Sequence, residues 1–187
     1  MKLLDAVNTV LPYLGEHPVT DIDTAHPTVD LIVAAIERHR EAFLSEGWWF
    51  NEGTVTLPVN TNGKIQTPTG IISIYGVDCN VEANGTELFN LDENSEYFSK
   101  PIKAEMIKDV QFDKLPLYAA HAVLYTAAIE IYTADFGVES TIQILQGYMD
   151  NALQKCKMEN LRKRRYNSSA FRRPNGFNRL RSFIKFR

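Results

Sequence analysis

Hydrophobic side chains recur every three or four residues in four separate segments of the chain. This spacing is typical of helices that bury one face. The pattern predicts helices at about 3–14, 27–46, 116–136 and 139–164. Gly15, Gly47 and Gly137 follow the first three, where a glycine readily takes the conformation that ends a helix. The last two helices carry small or apolar stripes and therefore predict a helical hairpin.

The second helix has the composition of a two-sided surface helix. Pro27 suits its first turn, because a proline lacks the backbone N–H that would be unpaired there. An apolar stripe follows and predicts the side that packs into the core. The opposite side is predicted to be solvated, with four charged residues, Glu37, Arg38, Arg40 and Glu41.

Between residues 48 and 112 the helical spacing gives way to short β-branched or aromatic runs. Runs at 54–57, 71–75 and 87–89 predict strands. Asn62-Gly63 and Asn84-Gly85 predict two tight hairpins whose central residues both have positive φ. The fold class is therefore α+β: a bundle of about four helices with a small inserted antiparallel β-hairpin lobe and an extended basic C-terminal arm.

The distribution of charge divides the chain into a body, residues 1–159, and an arm, residues 160–187. Residues 1–154 hold 8 basic and 22 acidic side chains, a net charge of −14. Residues 155–187 hold 12 basic and 1 acidic, a net charge of +11. Such asymmetry indicates a terminal arm that reaches for a charged partner.

The arm combines arginine with regularly spaced aromatic side chains. This composition suits contact with nucleic acid, through phosphates and base stacking. It equally suits an extended peptide that threads a protein groove, with aromatics in pockets and arginines paired to carboxylates. The candidate binding residues of the arm are Arg162, Arg164, Arg165, Tyr166, Phe171, Arg172, Arg173, Phe177, Arg179, Arg181, Phe183 and Phe186.

The densest aromatic cluster is Trp48-Trp49-Phe50, where the second helix meets the predicted lobe. It is interpreted first as a plug that joins the helix to the sheet. Because Trp is enriched in interfaces, the cluster could also anchor a neighbouring subunit. Both roles are compatible if the junction is shared between copies.

The sequence offers no pattern for catalysis, cofactor binding or metal binding. Its four histidines lie in four different segments without ligand partners at metal spacing, and it contains no glycine-rich phosphate loop or nucleophile motif. We therefore expect neither an enzyme nor a bound cofactor or metal. No run approaches the ~18–20 apolar residues of a membrane span. The two cysteines, Cys79 and Cys156, predict free thiols in a reducing cytosol.

Three motifs, taken together and in order, resemble the tail tubular protein A family, the head-to-tail adaptor or gatekeeper of short-tailed bacteriophages. The first runs from Val7 through the Gly15-Glu16 turn to Pro18-Val19. The second is Gly47-Trp48-Trp49-Phe50-Asn51 and the third Phe112-Asp113-Lys114-Leu115-Pro116. The resemblance covers roughly residues 5–155; Pro12 and the arm depart from it.

This resemblance implies a structural virion protein assembled in the host cytoplasm. About twelve copies would form a closed ring that joins the portal protein to the tail nozzle protein. Genomic DNA would pass through the ring without sequence-specific binding, and no membrane would be involved. The arm would then grip the portal. The alternative from the residues themselves is a nucleic-acid-binding module that uses the same arm.

Overall fold

The computed structural model describes residues 1–22 and 26–164. Four α-helices lie in this part of the chain: α1, Leu3–Val10; α2, Pro27–Ser45; α3, Leu117–Phe136; and α4, Ser140–Lys163. A 3₁₀ turn, Leu11–Leu14, continues α1 and contains Pro12, whose missing N–H is harmless in a first turn. Gly15 ends this turn with φ of 76°, as its position predicted.

Helix α3 is the central helix of the bundle. Buried residues point to more than one side of this helix, so neighbouring elements cover it on more than one side. Four of them lie within about one and a half turns: Ala122, Val123, Leu124 and Ala127. It packs against α4 along an extended contact and against α2 on another face. The small alanine side chains allow these helices to approach closely, and Leu145 and Cys156 of α4 are completely buried against them.

Five strands form the lobe in the described residues: β1, Glu52–Leu57; β2, Ile71–Gly76; β3, Val81–Asn84; β4, Glu87–Asn90; and β5, Ile102–Lys108. Strand β5 lies between β1 and β2 in a three-stranded antiparallel sheet. Its register runs from Ile102, opposite Leu57, to Ile107, opposite Glu52. Strands β3 and β4 form a separate two-stranded sheet. The α+β class, with four helices and small antiparallel sheets, is confirmed.

The two predicted hairpins differ from the structure. Asn84 pairs with Glu87, so the turn between β3 and β4 is centred on Gly85 and Thr86, and Gly85 has φ of 62° while Asn84 does not have positive φ. Asn62-Gly63 joins no hairpin, because β5 separates β1 from β2. The side chain of Asn60 organises that loop by accepting hydrogen bonds from the N–H groups of Asn62 and Lys64, both at 2.9 Å.

The prediction that Arg40 lies on a solvated face is wrong. Arg40 is only 6% exposed, because its guanidinium turns inward toward the chain segment after β5. Arg38 and Glu41, by contrast, are exposed as predicted. A charged side chain can be buried in this way when hydrogen-bond partners replace water.

Candidate functional site

The last turn of α4 contacts the connection between α2 and β1. The N–H of Trp49 donates to the side-chain oxygen of Asn160 at 3.0 Å. The guanidinium of Arg164 donates to the carbonyl of Gly47 at 2.9 Å and forms an ion pair with Glu52, the first residue of β1. The point at which the basic arm leaves the described body is therefore held at the junction of bundle and lobe. We call these contacts the arm root.

Trp48 fixes the junction to the bundle core. It is 3% exposed and stacks on Phe43, with ring centroids 4.5 Å apart and planes inclined by 10°. Its indole N–H donates to the carbonyl of Phe43 at 2.7 Å, which satisfies the polar edge of the buried ring. At this residue the aromatic cluster lies in the core.

Trp49 and Phe50 occupy a different environment from Trp48. Both are half-buried, and their rings meet edge to face with centroids 5.0 Å apart. They pack against the core on one side while keeping part of their surface exposed. The role of subunit-interface anchor stays a prediction, and it falls on these two residues rather than on Trp48.

Asn51 holds the turn together, and sequence reasoning gave its side chain no role. It is 1% exposed. Its amide oxygen accepts from the N–H of Trp48 at 2.7 Å, and its amide nitrogen donates to the carbonyls of Leu44 at 3.0 Å and Lys108 at 3.2 Å. One side chain thus joins the end of α2, the aromatic turn and the end of β5. The sequence did contain one sign of this role, since Asn51 is a polar residue that directly follows the aromatic run Trp48-Trp49-Phe50.

Arg40 provides a second link between bundle and lobe that the sequence did not reveal. Its guanidinium pairs with Glu37 on the same helix at 2.8 Å and with Asp109, and it donates to the carbonyl of Val110 at 2.8 Å. Burial opposes the charge, but the hydrogen bonds that the guanidinium donates to the two carboxylates outweigh this effect and raise the pKa of Arg40. The segment after β5 is therefore tied to α2.

Several acidic side chains of the lobe are engaged in local hydrogen bonds rather than simply solvated. Lys64 lies between Glu87 at 2.6 Å and Glu96 at 2.7 Å. Asp92 accepts from the backbone N–H of Asn80 at 2.8 Å and from its side chain at 2.6 Å, and these bonds lower the pKa of Asp92. These contacts stabilise the loops of the lobe.

Only the first members of the predicted arm fall within the described residues. Arg162 is exposed on α4, and Arg164 belongs to the arm root. The other predicted arm residues lie outside the described part of the chain: Arg165, Tyr166, Phe171, Arg172, Arg173, Phe177, Arg179, Arg181, Phe183 and Phe186.

The described residues contain neither a cluster of metal ligands nor a membrane-spanning helix. Across 1–22 and 26–164, no group of three or more His, Cys, Asp or Glu side chains is placed to hold a metal ion. None of the helices in the same residues combines the length and apolar character that a bilayer crossing requires. Both cysteines of the chain are free thiols, with Cys156 buried and Cys79 half-buried.

Comparison with known proteins agrees with the three sequence motifs. Residues 4–166 match the family described as Tail tubular protein. Tail tubular protein A of Klebsiella phage KP34 is 30% identical over 186 residues, which cover 98% of this chain and 100% of the relative. The chain belongs to the tail tubular protein family. It is accordingly a structural component of a bacteriophage tail.

The family match extends past the end of α4 to residue 166 and so includes the arm root. It also includes the aromatic junction and the Arg40 cluster. These features are therefore parts of a tail tubular protein body, and the greater part of the basic arm follows the matched region. The resemblance to this family noted from the motifs is confirmed.

Proposed function

We propose that this tail tubular protein is a head-to-tail adaptor. About twelve copies form a closed ring that joins the portal protein to the tail nozzle protein and surrounds the path of the genomic DNA. The basic arm of each copy, residues 160–187, binds the portal. The strongest support comes from the arm root, where Asn160 and Arg164 fix the start of a cationic segment to the junction of bundle and lobe.

A fixed starting point for each arm matters because many weak contacts between the arms and the portal then add up to a strong attachment. Each arm begins at a defined place on its subunit, so its effective concentration at a neighbouring groove is high. Eight of the ten basic residues in 160–187 are arginine, whose planar guanidinium pairs with carboxylates in a bidentate manner. The five interspersed aromatics supply apolar contacts to the bound partner.

The net charge of the body suits a channel wall. Residues 1–154 carry a net charge of −14, so a ring of such bodies repels a sliding polyanion and limits its adhesion. The alternative function, a nucleic-acid-binding module, uses the same arm but requires it to hold DNA against this repulsion. The two functions differ in what the arm binds and in the salt dependence of that binding.

The deciding experiment removes the arm while keeping the arm root. A chain that ends at Arg164 retains the contacts of both Asn160 and Arg164. A chain that ends at Glu159 loses these contacts, so a loss of portal binding could then come from a loosened fold rather than from the missing arm. We expect the chain ending at Arg164 to unfold at the same urea concentration as the full chain and to lose binding to purified portal rings. Retained portal binding would refute the role of the arm.

A matched variant separates protein binding from DNA binding. Replacing Tyr166, Phe171, Phe177, Phe183 and Phe186 by serine leaves every charge of the arm in place. We expect this variant to lose portal binding, since protein pockets need the rings. If the arm instead binds duplex DNA, the variant should keep its affinity for DNA. That affinity should then fall steeply between 50 and 200 mM salt, on the order of 10³-fold or more for several phosphate contacts.

A further inference from the structure

The outward side of α4 carries an uncharged stripe that nothing in the described chain covers. Six exposed residues recur at spacings of three and four: Ile144, Gly147, Asn151, Gln154, Met158 and Leu161. Ile144 and Leu161 are each 55% exposed and Met158 is 51% exposed. The residues that pack on α3, including Leu145 and Cys156, lie on the other side of the helix. A solvated helix face is normally rich in charge, so this stripe is unusual for a surface that meets only water.

Gly147 gives an independent sign of close approach. It lies inside α4, where glycine is about 1 kcal/mol less favourable than alanine. A Cβ atom added at Gly147 would meet nothing within 4 Å, so the packing of this chain does not require glycine there. A second surface that packs on the stripe would require it, because the missing side chain lets another backbone come near.

A complementary surface exists on another helix of the same bundle. Helices α2 and α4 both pack on α3 and share few direct contacts with each other, so each keeps an outward side of its own. The outward side of α2 exposes Leu31, at 62%, together with the small residues Ala34, Ala42 and Ser45. A helix with small exposed residues offers a groove for the side chains of a facing helix.

The charges beside the two stripes are complementary. Lys155, Lys157 and Arg162 are exposed beside the α4 stripe. They outnumber the exposed Asp150 on the same helix. The outward side of α2 is bordered by the exposed acidic residues Asp30 and Glu41. Arg38 lies within this side, and its charge is paired with Glu130 of α3. Basic residues beside the α4 stripe and acidic residues beside the outward side of α2 favour contact between these two surfaces and disfavour α4 against α4.

We propose that the stripe of α4 binds the outward side of α2 on a second copy of this chain. This inference rests on the proposed ring, and it names the contact that would build it. Because the two surfaces differ and lie on different helices, the contact is head to tail, the arrangement that closes into rings rather than two-fold dimers. Helix α4 spans roughly 36 Å at 1.5 Å per residue, long enough to contribute to the ~800 Å² per partner of a stable interface.

Crosslinking in assembled particles tests this contact. Asn151 and Ala34 lie near the midpoints of α4 and α2, so they approach each other whether the facing helices run parallel or antiparallel. Three chains, N151C, A34C and the double variant, are supplied as the sole copy during phage assembly and treated with a short bismaleimide. The unmodified chain, with Cys79 and Cys156, measures background.

We expect the double variant to give a ladder of dimers, trimers and larger species, and each single variant to give none. Dimers from N151C alone would overturn the proposal, because they require α4 against α4. A ring present in the particles without a ladder from the double variant would also overturn it while leaving the proposed function intact. If particles with the unmodified chain contained isolated copies of this protein rather than a ring, both the proposed ring and the proposed contact would be refuted.

Substitution of Gly147 provides a second, non-covalent measurement. G147L should reduce incorporation into particles at least tenfold, while the isolated protein unfolds at the same or a higher urea concentration. Q146L is the matched control, because Gln146 is the adjacent exposed residue but lies off the stripe. Normal incorporation of G147L, or equal losses in both variants, would contradict the α4 contact.

Discussion

The backbone N–H of Trp49 donates a hydrogen bond of 3.0 Å to the side-chain oxygen of Asn160, 111 residues further along the chain. This bond joins the end of α4 to the aromatic turn, and Arg164 adds a second bond to Gly47 one turn later. Because the arm begins here, the geometry of this pair sets where the arm leaves the body.

Substitution of Asn160 should loosen this junction without unfolding the domain. N160A removes the acceptor, so we expect the Trp49 amide to exchange with solvent at least several-fold faster, whereas N160D keeps an acceptor oxygen and should exchange nearly as slowly as the parent. The loss in stability should be about 0.5–1.5 kcal/mol for N160A. Amide hydrogen exchange followed by NMR measures the effect, and equal protection in all three proteins would show that the bond does not hold the turn.

The buried Arg40 should couple energetically to Asp109. We expect R40M to lower the free energy of unfolding by about 1–3 kcal/mol, less than for a fully buried pair because Asp109 retains access to water. A double-mutant cycle with D109N should give a coupling of about 1–2 kcal/mol by urea denaturation. R38M is the control: Arg38 and Glu130 form an exposed pair, and its loss should cost under about 1 kcal/mol. Additive effects of R40M and D109N would contradict the coupling.

His121 should make the protein less stable in mild acid. Burial first, then the N-terminal amino group and Lys155, lower the pKa of His121 below its ordinary value of 6.5. Below about pH 6.5 the imidazole of His121 takes up a proton in the unfolded chain before it does so in the folded chain. The free energy of unfolding is therefore highest near neutral pH and decreases as the pH falls. We expect urea midpoints to drop more between pH 7.5 and 5 for the parent than for H121Q. An identical pH dependence in the two proteins would refute this assignment.

Cys156 should resist alkylation until the bundle opens. Burial, reinforced by Glu159 and Glu46, raises the pKa of Cys156 to about 12. At pH 8 the folded protein should therefore label slowly at Cys156 and faster at the half-buried Cys79, with mass spectrometry locating each adduct. In alkali the unfolded thiol ionises first, so the stability that Cys156 contributes is lost as the pH rises from about 9 toward 12. Equal labelling rates in the folded state would contradict this burial.

The helices and their ends were predictable because their signals are local. Pro27 and Gly137 mark a start and an end that depend only on backbone geometry, and the structure places α2 at Pro27–Ser45 and α3 at Leu117–Phe136. The apolar spacing in α4 likewise identified the buried side of the hairpin. The three motifs, which are also properties of the chain alone, led to the family.

Strand β5 was not predicted, although it is the centre of the main sheet. Ile102, Ala104 and Met106 alternate with Lys103 and Glu105. The alternation is that of a strand, but Ala, Met, Lys and Glu are favourable helix residues, so local preference opposed it. Pairing with both β1 and β2 decided the conformation, and that pairing joins residues far apart in sequence.

By itself the sequence determined the order and type of the helices, the opposed charges of body and arm, and the membership of a phage tail family, because each is written in local spacing or composition. Only the tertiary structure decided that Arg40 turns inward, that Asn51 joins three segments and that Asn160 meets Trp49. Each of those facts depends on which distant backbone groups are left to be paired once the elements have packed, and no local pattern contains that information.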